Sequence, residues 1–211
     1  MQLGQHAPAR RTIVHLSDTH LLARNAPLGG RYDTEANLER TLERLEQLAA
    51  DGTVRPDAIV FTGDLADLGE TEAYLRLREL VEPVAARMGA PIAWVAGNHD
   101  ERPEMRRDLL GLPADQTPVT GVWDLGGLRL IALDSSVPGW HHGAIDVEQR
   151  EWLRGELSTP APLGTILALH HPPLPSHVPL FDILELREQD ALAEVLAGSD
   201  VRAILAGHLH Y

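Results

Sequence analysis

Five short apolar runs recur along the chain, and each one ends in polar residues. Thr12 to Leu16 leads to Asp18-Thr19-His20, and Ala58 to Phe61 leads to Gly63-Asp64. Ile92 to Val95 leads to Gly97-Asn98-His99-Asp100, Thr165 to Leu169 leads to His170-His171, and Val201 to Ala206 leads to Gly207-His208-Leu209-His210. Runs of this length without polar alternation read as buried strands. His15, inside the first run, reads as a core or sheet histidine. Helical periodicity fills the intervals. Leu38, Leu42, Leu45 and Ala49 share one face of a helix over 35–50, which Gly52 stops. Tyr74, Leu77, Val81, Val84 and Met88 line a second helix over 70–88, in which Pro83 introduces a kink or an end. Further helices are predicted over 101–110, over 147–157 with Trp152 and Leu153 inward, and over 185–197 with Leu192, Val195 and Leu196 inward. Runs over 119–124 and 128–133 flank Gly126-Gly127, the mark of a hairpin with a primed turn. This antiparallel signal fits either a second sheet packed on the first or an antiparallel edge.

Alternating strands and helices predict an α/β fold, and open α/β sheets bind ligands at the carboxyl ends of their strands. The residues delivered there are Asp, Asn and His, with no thiolate among them, a donor set suited to borderline and hard cations. Residues i and i+2 of an extended segment point the same way, so Asp18 and His20 can aim at one ion. A single Asp or His at a strand end is an ordinary cap or turn residue; five such tips ask for a common cause. The charged positions Glu39, Arg40, Glu43 and Arg44 read as a solvated helix face.

Composition narrows the picture. A length of 211 residues suits one domain. A net charge of -13 argues against a sequence-independent nucleic-acid binder. The absence of cysteine removes disulfide frameworks and zinc ribbons and suits a reducing compartment, so the cytoplasm is the expected location. No apolar window reaches the ~18 residues of a membrane span. The polar stretch from Met1 to Arg11 reads as a loose arm without a signal core.

Taken together and in this order, Asp18-x-His20, Gly63-Asp64, Gly97-Asn98-His99-Asp100, His170 and Gly207-His208-x-His210 resemble the motif blocks of the calcineurin-like metallophosphoesterase superfamily. Asp18-Thr19-His20-Leu21, Phe61-Thr62-Gly63-Asp64-Leu65-Ala66-Asp67, Leu169-His170-His171-Pro172-Pro173 and Gly207-His208-Leu209-His210-Tyr211 are most similar to its class III cyclic-nucleotide phosphodiesterases of mycobacterial type.

The resemblance implies a four-layer α/β/β/α sandwich of two mixed sheets flanked by helices. It implies a single domain over 1–211 that lacks the family's C-terminal strands, leaving the second sheet incomplete. It also implies two metal ions, Fe(III) with Mn(II) or else Zn. Asp18, His20 and His210 would hold the first, Asn98, His170 and His208 the second, and Asp64 would bridge both. Strand alternation sends His170 and His171 to opposite faces; the family pattern selects His170, leaving His171 to pack or to support the ligands. His99 would act on the substrate beside Asn98, with Asp67 behind it, and His141 in the Trp140-His141-His142-Gly143 loop would face the substrate. The Pro-rich segment 174–180 could cover the site. The implied reaction is hydrolysis of 3′,5′-cyclic AMP to 5′-AMP by a hydroxide bridging two metals. Alternatives are a broad-specificity phosphomonoesterase or phosphodiesterase of the same superfamily and a truncated binding scaffold. A cyclic nucleotide is the expected partner, nucleic acid and membrane are not, and a homodimer is inferred from relatives.

Overall fold

The computed structural model describes residues 8–210. Most of the expected N-terminal arm and Tyr211 lie outside the described residues. Arg11, at the end of that arm, is docked: its guanidinium donates to the carbonyls of Leu125 and Gly126 and faces Asp57 at 3.7 Å.

Three parallel strands form the first sheet, in the order β1 (Ile13–Leu16), β2 (Ala58–Thr62), β3 (Ile92–Val95). Helices α1 (Thr34–Ala50) and α2 (Thr71–Met88) make its crossovers. The second sheet has the order β4 (Gly121–Asp124), β5 (Arg129–Ala132), β6 (Thr165–Ala168), β7 (Val201–Leu205). β4 and β5 are the antiparallel hairpin and β6 and β7 run parallel. The antiparallel pair is thus the edge of a second sheet. That sheet is mixed, whereas the described strands of the first are all parallel. Gly126 and Gly127 both have positive φ, 64° and 94°, as the primed turn between β4 and β5 requires.

Strand alternation shows why both faces of the central strands are apolar. Ile59 and Phe61 of β2 face α1 and α2, while Ala58 and Val60 face the other sheet. Ile131 and Leu167 meet α4 (Val147–Glu156) and α5 (Gln189–Leu196), while Leu130, Ala132 and Ala168 turn inward. Ala58, Ala93, Ala132 and Ala168 in the inter-sheet cluster let the two sheets approach closely. Helix, sheet, sheet and helix therefore stack as four layers.

Several expectations change. The first and last strands are only partly buried, because each is the outer strand of its sheet among the described residues. His15 is accordingly exposed, with Nε2 2.8 Å from Thr62 Oγ1. The helix expected over 185–197 begins four residues later, since Leu186 pairs in extended form with Gly143. Over 101–110 a short α3 (Arg102–Glu104) continues as a π-helical stretch, Met105–Leu109. Pro83 does not end α2, where the burial of Tyr74, Leu77, Val81 and Val84 outweighs a proline cost of about 3 kcal/mol.

At the end of the sheets away from the polar tips, Arg129 donates to Asp200 Oδ1 at 2.9 Å and to Thr165 Oγ1 at 2.9 Å. Asp200 Oδ2 accepts from Ala161 N at 2.7 Å. Burial opposes ionisation of Asp200, but these donors and Arg129 hold its carboxyl below the ordinary value. Asp200→Ala leaves the mostly buried Arg129 uncompensated and is expected to cost roughly 3 kcal/mol at neutral pH. The depressed folded-state pKa makes this contribution full above the unfolded carboxyl pKa of about 4 and lost as pH falls through the folded value. Urea unfolding of wild type and variant at pH 7 and pH 3 should show a gap that narrows in acid.

Candidate metal centre

The tips of β1, β2, β3, β6 and β7 converge. Asp18, His20, Asp64, His208 and His210 all have positive φ (56°, 43°, 49°, 77° and 46°), making five of the eight described non-glycine residues in that conformation. Each costs on the order of 1 kcal/mol, and such strain persists where surrounding contacts enforce it for a purpose. Glycine lets the tips crowd. At Gly63 (φ 90°) a side chain would strike the His170 ring, and at Gly97 it would strike the Asp64 carboxylate.

Asp100 fastens two of these tips together. Its buried carboxylate accepts from Gly97 N (2.8 Å), Ala66 N (3.1 Å), Leu65 N (3.1 Å) and Tyr74 Oη (3.0 Å). Burial, together with the nearby Asp64, pushes this carboxyl up to about 6. In the sequence, Asp100 stands on a polar tip and no separate role is legible for it. Its spacing of three residues from Gly97, that of a side chain capping its own turn, was the available signal.

Hydrogen-bond partners assign the imidazole protons. His20 Nδ1 lies 2.9 Å from Asp67 Oδ1, His170 Nδ1 2.7 Å from the Thr62 carbonyl, and His208 Nε2 3.0 Å from the Leu184 carbonyl. Each of these nitrogens donates, so in the neutral ring the other nitrogen is bare. The bare nitrogens face one another or other acceptors. His170 Nε2 is 3.1 Å from His208 Nδ1 and 3.2 Å from Asn98 Oδ1. His20 Nε2 is 3.3 Å from His210 Nε2, which is 3.2 Å from Asp18 Oδ1. Lone pairs held this close repel unless a cation lies among them. Ligands at ~2.1 Å from one ion stand about 3.0–3.4 Å apart, so the donor set fits metals bound through N and O.

Asp64 joins the two groups. Its Oδ1 is 3.3 Å from His170 Nε2 and accepts from His99 N at 3.0 Å, while Oδ2 is 3.7 Å from His20 Nε2. Burial opposes its ionisation, yet the contacts with His170 and the His99 N–H hold the carboxyl well below the usual carboxylate range. His208 is pushed down to about 4 by burial and then by His170, which keeps it neutral and able to bind metal near pH 7.

All seven residues expected as ligands come together, as do the others assigned to the site. The pair His170-His171 is separated by its partners: His171 offers Nδ1 to Ser135 Oγ at 2.8 Å and Nε2 to the His141 carbonyl at 3.2 Å. Asp67 stands differently from the expectation. Its carboxylate is nearer to His20 (2.9 Å) than to His99 (3.5 Å), and it is its backbone carbonyl that takes the His99 Nδ1 proton, at 2.8 Å. His141 Nδ1 lies 3.3 Å from Asn98 Nδ2, and its ring is 6.2 Å from that of His99. Among the described residues no helix is long and apolar enough to cross a membrane.

The chain is similar to known proteins along nearly its whole length. The chain is 53% identical over 211 residues to the cAMP/cGMP dual specificity phosphodiesterase of Mycobacterium tuberculosis, covering all of this chain and 65% of that protein. It is 35% identical over 199 residues to the 3′,5′-cyclic adenosine monophosphate phosphodiesterase CpdA of Pseudomonas aeruginosa, covering 94% of this chain and 69% of that one. The chain thus spans about two thirds of the length of the curated relatives it matches. The fold is similar to that of a dimetal phosphatase from Danio rerio, with a TM-score of 0.66 at 16% identity over 95% of this chain and 82% of the other. The profile of the calcineurin-like phosphoesterases matches residues 11–211, so the paired histidine clusters at the strand tips have a family context. The chain belongs to the calcineurin-like phosphoesterase family.

Proposed function

We propose that this chain hydrolyses phosphodiesters with two bound metal ions, and that its substrate is 3′,5′-cyclic AMP, released as 5′-AMP. One observation carries the reading: the two oxygens of Asp64 face two different imidazole clusters, the arrangement a shared carboxylate between two cations needs. Asp18, His20 and His210 would hold one ion, Asn98, His170 and His208 the other, and Asp64 would serve both. When bound, such a pair supplies Lewis-acid polarisation of phosphoryl oxygens and a water acidic enough to attack at neutral pH.

The remaining residues orient and move protons. Asp67 and the carbonyls of Thr62 and Leu184 fix which nitrogen of His20, His170 and His208 is free. His99, whose Nδ1–H donates to the Asp67 carbonyl, would give a proton from Nε2 to the leaving oxygen as the doubly protonated imidazolium and be left neutral. His141, beside Asn98, faces the substrate. The names of the M. tuberculosis and P. aeruginosa relatives support the choice of a cyclic nucleotide. The N/O donor set favours Fe(III) with Mn(II), or Zn. A cytoplasmic homodimer completes the proposal by resemblance.

The test compares 3′,5′-cyclic AMP, bis-p-nitrophenyl phosphate and p-nitrophenyl phosphate with and without added Mn(II), alongside elemental analysis. Metal-dependent turnover with both diesters preferred is the expected result. Preference for the monoester would overturn the substrate class, and full turnover after chelation would overturn the metals.

A further inference from the structure

One buried imidazole near the centre has no place in the ligand set. His171 is fully buried and packs its ring 4.4 Å from that of His208. Its backbone N–H donates to Ser135 Oγ at 3.1 Å. The Ser135 hydroxyl proton then goes to His171 Nδ1, at 2.8 Å, and leaves the ring proton on Nε2 for the His141 carbonyl, at 3.2 Å. Both ring nitrogens are committed, so the ring has no lone pair for a cation.

The loop lies directly on this ring. A side chain at Gly143 would collide with His171. Gly143 in turn donates to the Glu185 carbonyl (3.1 Å) and accepts from Arg187 N (2.7 Å), next to the Leu184 carbonyl that orients His208. The segment 135–143 therefore touches the His171 ring at Ser135, His141 and Gly143, and Gly143 bonds it to the segment around 184–187.

We propose that His171 is a positioning residue that ties the loop carrying His141 to the tip of β6, so that His141 is set beside Asn98 before substrate arrives. The proposal rests on the reading of His141 as substrate-facing. It assigns His171 to substrate capture and to neither metal binding nor the chemical step. A side chain that still donates at the position of Nε2 keeps the arrangement; one that does not leaves the His141 carbonyl without its buried partner and the loop loose.

His171→Gln, His171→Asn and His171→Phe separate these roles. The Gln amide reaches the place of Nε2, the Asn amide only that of Nδ1, and Phe fills the space without a donor. The Mn(II)-loaded proteins are assayed for metal content and for kcat and KM with cyclic AMP, and hydrogen–deuterium exchange of segment 135–143 is followed in all four chains. Asn and Phe should raise KM roughly tenfold, the equivalent of one lost hydrogen bond, with kcat and metal content unchanged and faster exchange of 135–143. Gln should stay within about twofold of wild type in KM and exchange. Unchanged KM and exchange in Asn and Phe overturn the proposal, and so does loss of metal from all three, which would make His171 a ligand. Should wild type itself lack metal-dependent diesterase activity, the proposed function fails separately. Exchange of 135–143 then decides the role of His171: faster in Asn and Phe but not in Gln supports it, and any other pattern overturns it.

Discussion

Asp64→Asn is expected to lower bound metal from two ions per chain to one or none and to reduce diesterase turnover by roughly 10³-fold, the equivalent of about 4 kcal/mol. The substitution keeps size and shape and removes only charge and one acceptor oxygen. In the wild-type chain Oδ1 points to His170 and Oδ2 to His20, so the neutral amide can serve one side and presents an NH2 to the other. His99 N also donates to Oδ1, so the Asn98-His99 turn is held by the same atom that would bind metal. Elemental analysis with circular dichroism checks the result. A variant that keeps two ions and near-normal turnover shows that the site does not depend on a shared carboxylate.

His99→Ala should cost about 10²- to 10⁴-fold in turnover, the range for a lost general acid, while metal content stays at the wild-type level. The separation follows from geometry. His99 Nδ1 is engaged by the Asp67 carbonyl, and its ring stands edge-on to His20 at 4.9 Å rather than among the nitrogens facing Asp64. Its side chain is about one third exposed, so it can reach an entering phosphate. The loss should be smaller for bis-p-nitrophenyl phosphate, whose leaving phenolate needs less protonation than a ribose alkoxide. Equal loss on both substrates would point to charge stabilisation instead of proton donation.

Much of this architecture is legible in residue order. Apolar runs of strand length alternating with 3.6-periodic segments predict the α/β class, and Gly126-Gly127 predicts the hairpin turn with both φ values positive. The residues expected as ligands sit at strand ends and meet in space, because parallel strands in two facing sheets bring their carboxyl ends to one side. Other features depend on partners far along the chain. Whether residues 185–188 are helical depends on Gly143, which pairs with Leu186 some 40 residues away. The partial burial of β1 and β7 depends on which strands flank them.

The sequence by itself determined the donor types, their order and their placement at strand tips, since short-range periodicity and turn chemistry are local properties of the chain. Tertiary structure decided which nitrogen of each histidine is free, that the Asp67 carboxylate leans to His20, and that His171 meets Ser135 and His141. Those outcomes turn on single hydrogen bonds to Thr62, Leu184, Ser135 and His141, whose backbone and hydroxyl groups come within reach only once the two sheets pack.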